Sequence, residues 1–172
     1  MPPEAAGADR SAPPAVRVGL PSPEDTRSWG ERLGRVLRAG DLVVLTGDLG
    51  AGKTTLTQGI AEGLGVRGPV TSPTFVIARV HPSLVGGPAL VHVDAYRLGG
   101  LAELDDLDLD TSLDDSVTIV EWGHGLAEGL SEDRLEVTLR GHDEREASVS
   151  AWGPRWEGDE ARALLEDLAE VA

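Results

Sequence analysis

The amino-acid sequence predicts an α/β fold built on a mixed, mostly parallel sheet with an antiparallel hairpin beside it. Three observations carry this. Leu42-Val43-Val44-Leu45-Thr46 and Val117-Thr118-Ile119-Val120 are nearly unbroken apolar runs, as expected of strands buried on both faces of a parallel sheet. Helical stripes alternate with such runs along the chain. A glycine-rich turn, Gly47 to Gly52, leads from the first run straight into a helix.

The elements follow in order. Residues 16–20 form a short strand. Ser22-Pro23-Glu24-Asp25 is a helix start, with a Ser N-cap, Pro in the first position and acids in the first turn. Trp29, Leu33, Val36 and Leu37 lie on one helical stripe, and Gly40 ends the helix. After the glycine turn a helix runs from Lys53 to about Leu64 and stops at Gly65. Residues 75–80 and 89–93 are two strands joined by the Pro- and Gly-rich turn 81–88, hence the hairpin. Short helices are expected over 101–109, in an acidic stretch, and over 126–130. Residues 117–120 are a buried strand ending at Glu121. Residues 135–139 alternate polar and apolar and pair with 147–151. Leu164, Leu165, Leu168 and Val171 mark a final amphipathic helix. Residues 1–15, rich in Pro and Ala, are a disordered extension, and 16–172 form a single domain.

Composition bounds the function. With 172 residues the chain is long enough for a real hydrophobic core. Only 3 % of it is aromatic, so that core is aliphatic. Cysteine is absent, which excludes disulfides and thiolate metal sites and fits a reducing, cytoplasmic setting. No apolar run approaches the roughly 20 residues that span a bilayer. The net charge of −15 opposes broad contact with a nucleic-acid backbone. Of 15 basic residues one is lysine, Lys53, and the rest are Arg. The four histidines lack metal-ligand spacing, and the acidic run 103–115 lacks the glycine and terminal Glu of a calcium loop.

Gly47-Asp48-Leu49-Gly50-Ala51-Gly52-Lys53-Thr54 matches the phosphate-loop pattern in full, between a strand and a helix. Glycines let backbone N–H groups turn inwards around an anion, and the helix N-terminus adds partial positive charge. The fold expected is therefore a three-layer P-loop NTPase-like sandwich. Lys53 reaches the β- and γ-phosphates of ATP, the Thr54 hydroxyl ligates Mg²⁺, and Thr55 supports the α-phosphate. Glu121, closing a buried strand, is the acid expected to hold Mg²⁺ directly or through water. Ser72-Pro73-Thr74-Phe75 is either a plain turn or a switch whose hydroxyl senses the γ-phosphate. In His92-Val93-Asp94-Ala95-Tyr96-Arg97, Asp94 either orients a water or belongs to a strand-end ion pair.

Together these motifs, with Val120-Glu121-Trp122-Gly123, resemble the bacterial TsaE (YjeE) family over roughly residues 20–155. The resemblance implies slow ATP hydrolysis with Mg²⁺ as cofactor, and TsaD and TsaB as partners in threonylcarbamoyladenosine modification of tRNA adenosine 37. It implies phosphate contact by Lys53, Mg²⁺ held by Thr54 and Glu121, and Asp94 and Thr74 on the γ-phosphate side. Thr26 matches a position near the nucleotide base, and Arg145 matches a late nucleotide contact. The N-terminal extension and the helix beyond Trp156 fall outside the family pattern, and the 81–88 turn is longer than usual. Two other readings stay open: a small-molecule P-loop kinase, against which the lack of an Arg-rich lid counts, and a nucleotide-gated interaction module.

Overall fold

The computed structural model describes residues 15–47, 52–68, 70, 78–94, 114–121, 131, 133–141 and 145–169. Seven strands form one sheet: β1 (Ala15–Leu20), β2 (Leu42–Gly47), β3 (Ala78–His81), β4 (Ala89–Asp94), β5 (Ser116–Glu121), β6 (Arg134–Arg140) and β7 (Arg145–Trp152). Their order across the sheet is β1-β7-β6-β2-β5-β4-β3. The central four, β6, β2, β5 and β4, are parallel, and both flanks are antiparallel. The expected hairpin is thus β3–β4, and the expected pairing of 135–139 with 147–151 is β6–β7. His81, expected in the turn, is the last residue of β3, where it pairs with Leu90. Ala15, expected in the extension 1–15, is the first residue of β1, paired with Ser150; the rest of that extension and the short helices expected over 101–109 and 126–130 lie outside the described residues.

Three helices are described: α1 (Pro23–Val36), α2 (Lys53–Leu64) and α3 (Asp159–Leu168), with a 3₁₀ turn at Pro154–Trp156 before the last. α1 opens on a capping box. Asp25 N–H donates to Ser22 Oγ and Ser22 N–H donates to Asp25 Oδ2, both at 3.1 Å, which satisfies two otherwise orphaned amides. The helix ends at Val36 rather than at Gly40. Gly40 instead takes φ +96°, in the turn that delivers the chain into β2. α2 stops where expected, with Gly65 in the left-handed region.

Side chains alternate along each strand, so one sheet face carries Val43, Leu45, Val117, Ile119, Leu90, Leu135, Val137 and Leu139. These share a single apolar cluster with Trp29 and Leu33 of α1, Leu56 and Ile60 of α2, and Leu165 and Leu168 of α3. The opposite face, with Leu42, Val44, Val91, Val93 and Val120, is buried as completely. This explains why β2 and β5 read as unbroken apolar runs.

α1 and α2 lie parallel and unusually close. Gly34 of α1 meets Gly63 of α2, while Gly30 lies against the Leu56 and Ile60 backbone and Gly59 against the Arg27 backbone, so each helix brings two glycines, four apart, to the contact. A Cβ on Gly59 would stand 2.2 Å from the Arg27 carbonyl oxygen, and one on Gly34 2.3 Å from that of Ile60. Only glycine permits this approach.

α3, which the sequence left without a role, completes the core. Trp29 Nε1 donates to the Leu168 carbonyl at 2.7 Å, and the Arg32 guanidinium donates to the Asp167 carbonyl. Below it, Arg155 pairs with buried Asp41 (Nε to Oδ1, 3.1 Å) and lies over the Trp156 ring. Burial pushes the Asp41 carboxyl above its usual range, while its bonds from the Arg38 N–H and from Arg155 pull the other way. Among the described residues no helix is long and apolar enough to cross a membrane.

Candidate functional site

The site lies where the parallel strands end. In register, Leu45 of β2 stands beside Glu121 of β5, and Glu121 stands beside Asp94 of β4. Neighbouring parallel strands run about 4.8 Å apart, so the two carboxylates leave the same sheet edge side by side. Both are buried, with Glu121 3 % and Asp94 8 % exposed. This edge, at the carboxyl ends of parallel strands, is where open α/β sheets place ligands.

β2 ends at Gly47, and Gly52, with φ +101°, is the N-cap of α2. Lys53 begins the helix. Its side chain is buried and turns back, Nζ donating to the Gly47 carbonyl at 2.5 Å. The single lysine thus bridges the two ends of the glycine turn. Its neighbours Thr54 and Thr55 are half-buried in the first turn of α2. Thr57 is fully buried and bonds its hydroxyl to the Lys53 carbonyl at 2.9 Å.

A second cation arrives from the far end of the sequence. β6 is parallel to β2, with Leu139 opposite Gly47, and β7 is antiparallel to β6, with Ala147 opposite Leu139. The start of β7 is therefore carried to the carboxyl end of β2. Arg145 sits there, across Gly52: a Cβ on that glycine would be 3.4 Å from Arg145 Nη1. Gly52 is glycine because of its positive φ; the guanidinium lies at ordinary contact distance from where a Cβ would stand.

The structure therefore brings together Gly47, Gly52, Lys53, Thr54, Thr55 and Arg145 at one corner and Asp94 and Glu121 beside it. Thr26 is placed differently. It has no exposed surface, and its hydroxyl donates to the Ser22 carbonyl at 3.3 Å. A base contact through this side chain would require the first turn of α1 to move. Asp48, Leu49, Gly50, Ala51 and Thr74 lie outside the described residues.

One residue named only as part of a motif gains a position. His92, two residues before Asp94 on the same face of β4, is fully buried, with Nε2 3.3 Å from Glu121 Oε2. The period of two along a buried strand was the signal for it.

Among the described residues no three His, Asp or Glu side chains are grouped to hold a metal by themselves. The donor set instead suits Mg²⁺, which binds one or two carboxylates and completes its shell with hydroxyl, water and phosphate oxygens. Glu121 and Thr54 are the residues that would hold it, and the cradle kept open by Gly52 beside Lys53 and Arg145 suits a polyphosphate.

The family model described as threonylcarbamoyl adenosine biosynthesis protein TsaE matches residues 20–149. The tRNA threonylcarbamoyladenosine biosynthesis protein TsaE of Streptomyces coelicolor is 63 % identical over 137 residues, 76 % of this chain and 93 % of that one. The protein of the same description from Bacillus subtilis is 41 % identical over 139 residues, 79 % of this chain and 85 % of its own. The crystal structure of Bacillus subtilis YdiB superposes with a TM-score of 0.68 at 33 % identity, covering 91 % of this chain and 95 % of that one. With one family model spanning strands β2 to β6 and such relatives on either side of it, this chain belongs to the TsaE family.

Proposed function

We propose that the chain is a Mg²⁺-dependent P-loop ATPase of the cytoplasm. It serves threonylcarbamoyladenosine modification of tRNA adenosine 37, acting with TsaD-like and TsaB-like proteins. The observation that carries the reading is the convergence at one sheet edge of Lys53, on the N-terminus of α2, with Glu121 and Asp94, on the ends of adjacent parallel strands. Family membership supports the pathway.

Each residue has a defined task. Lys53 exchanges the Gly47 carbonyl for phosphate oxygens and neutralises charge that builds up between the β- and γ-phosphates. Arg145, at the same helix end, adds a planar donor for a second phosphate contact. Thr54 and Glu121 hold Mg²⁺, which supplies electrostatic stabilisation of the phosphoryl oxygens when bound. Asp94, beside Glu121, orients the attacking water, and Thr74 and Thr55 add hydroxyl contacts on the γ- and α-phosphate sides. Thr26 reaches the nucleotide base after its hydroxyl leaves Ser22. The acidity of the whole chain, −15, suits a protein that meets proteins rather than tRNA.

The test is calorimetric titration with Mg·ATP and Mg·ADP, followed by hydrolysis assays with and without the two partner proteins. Binding by the wild-type chain, its loss by at least tenfold in Lys53→Ala, and turnover raised by the partners are the expected results. A folded wild-type chain that takes up neither nucleotide would overturn the proposal. Phosphate transfer to a metabolite in place of hydrolysis would point to a kinase.

A further inference from the structure

His92 presents a problem that the proposed site does not by itself explain. It sits in the middle of a buried parallel strand with no exposed surface. Neither ring nitrogen has a hydrogen-bond partner among the described residues. Nε2 does lie 3.3 Å from Glu121 Oε2, close enough to count as an ion-pair approach but outside hydrogen-bond geometry. A buried donor left unmade costs about 1–3 kcal/mol, and an aliphatic side chain would fill the same volume without that cost. The neighbouring strand positions on this face, Leu90 and Ile119, are filled in that way.

The spatial order is informative. His92 and Asp94 lie on one face of β4, and Asp94 is level with Glu121. The ring and the carboxylate thus approach each other diagonally across the β4–β5 pair, two residues apart along the strands. The distance is already within hydrogen-bond range, so an imidazole with its proton on Nε2 needs only to reorient relative to the carboxylate to bond Oε2. That bond would fix one carboxylate oxygen on the protein and leave the other for the metal. Metal-binding carboxylates are commonly held by such a partner.

We propose that His92 is a positioning residue for Glu121: its Nε2–H hydrogen-bonds the carboxylate in the metal- and nucleotide-bound state and sets the orientation in which Glu121 holds Mg²⁺. This rests on the reading of Glu121 as a metal-holding residue. It assigns the imidazole no part in the chemistry and no change of charge.

The test uses the full chain with ADP and Mn²⁺ in place of Mg²⁺, reading bound against free Mn²⁺ by electron paramagnetic resonance. ADP affinity in the presence of EDTA is measured alongside. His92→Leu should weaken Mn²⁺ about 10- to 100-fold in the ADP complex, while metal-free ADP affinity stays within about twofold. His92→Gln, whose amide nitrogen falls near the Nε2 position, should keep Mn²⁺ affinity within about threefold, and His92→Asn, whose amide falls near Nδ1, should not. Unchanged Mn²⁺ affinity in His92→Leu, or an equal loss of metal-free ADP binding, overturns the proposal. Should the leucine variant not fold, the Gln and Asn variants decide: equal affinities, or Asn above Gln, overturn it. A wild-type chain that binds ADP but no Mn²⁺ would instead remove the metal role of Glu121, and the inference with it.

Discussion

Replacing Gly59 by alanine tests how the two helices of the site are held. In an ordinary helix the change would stabilise, because alanine exceeds glycine by about 1 kcal/mol in helix propensity. Here the new Cβ would stand 2.2 Å from the Arg27 carbonyl oxygen and 3.0 Å from its carbon. Carbon and oxygen in contact keep about 3.3 Å, so α1 and α2 must separate by roughly 1 Å. The obstacle is backbone, which has no rotamer to escape into. Overpacking costs about 1–3 kcal/mol, and an unyielding neighbour places this case near the top. Less the propensity gain, the net loss is about 2 kcal/mol. For a domain of this size that lowers Tm by about 4–8 °C. Differential scanning calorimetry of wild type and Gly59→Ala reads it directly. A Tm equal to or above wild type would refute the close approach. Gly34→Ala, against the Ile60 carbonyl at 2.3 Å, should cost a similar amount. The double variant should cost less than the sum, since one separation relieves both clashes.

Three further outcomes follow. Trp29→Phe removes the 2.7 Å bond to Leu168 and leaves a buried carbonyl unpaired, so urea unfolding should show a loss of about 2 kcal/mol; no loss would mean that α3 is not anchored there. Burial holds the His81 imidazole neutral, below its ordinary pKa of 6.5, so the unfolded chain binds the proton first as pH falls. Stability that His81 leaves intact at higher pH is therefore lost as pH drops through the unfolded value towards the lower folded one. As pH falls through the ordinary value of 6.5, wild-type stability should fall relative to that of His81→Asn, and identical pH slopes would refute the assignment. Arg145→Gln should weaken Mg·ADP about 10- to 100-fold in calorimetry, the worth of a charge-assisted contact, and an unchanged affinity would remove Arg145 from the site.

The parts of the fold written in side-chain pattern were legible in the sequence. β2 and β5 announce themselves as apolar runs, the start of α1 as Ser-Pro with acids, and α2 as the helix between Gly52 and Gly65. The glycine pairs of α1 and α2 were not legible, because a buried glycine has no side chain and adds nothing to a hydrophobic period. The stripe runs through Trp29 and Leu33, yet the close approach to α2 is made by backbone, at Arg27, Gly30, Glu31 and Gly34. The final helix was seen as amphipathic, but what it covers, the Trp29 ring, lies 139 positions away in sequence and no local pattern encodes it.

The site divides along the same line. Lys53 and Thr54 stand in a motif of consecutive residues, and Glu121 closes an apolar run, so the sequence singles them out locally, whatever their proposed roles. From the residues alone, Arg145 is one arginine among many. Only the register that carries Gly47 to Leu139 and Leu139 to Ala147 shows why a residue at the start of β7 must arrive beside Gly52. That arrival matters in a chain of net charge −15, whose long-range field repels a polyphosphate. Screening confines that repulsion to about 8 Å at physiological salt, so attraction must be supplied at contact range. Lys53, Arg145 and the N-terminus of α2 are gathered within that range, with Asp94 and Glu121 on the ends of the neighbouring strands. The local charge arrangement thus opposes the global one, and the sheet register produces it.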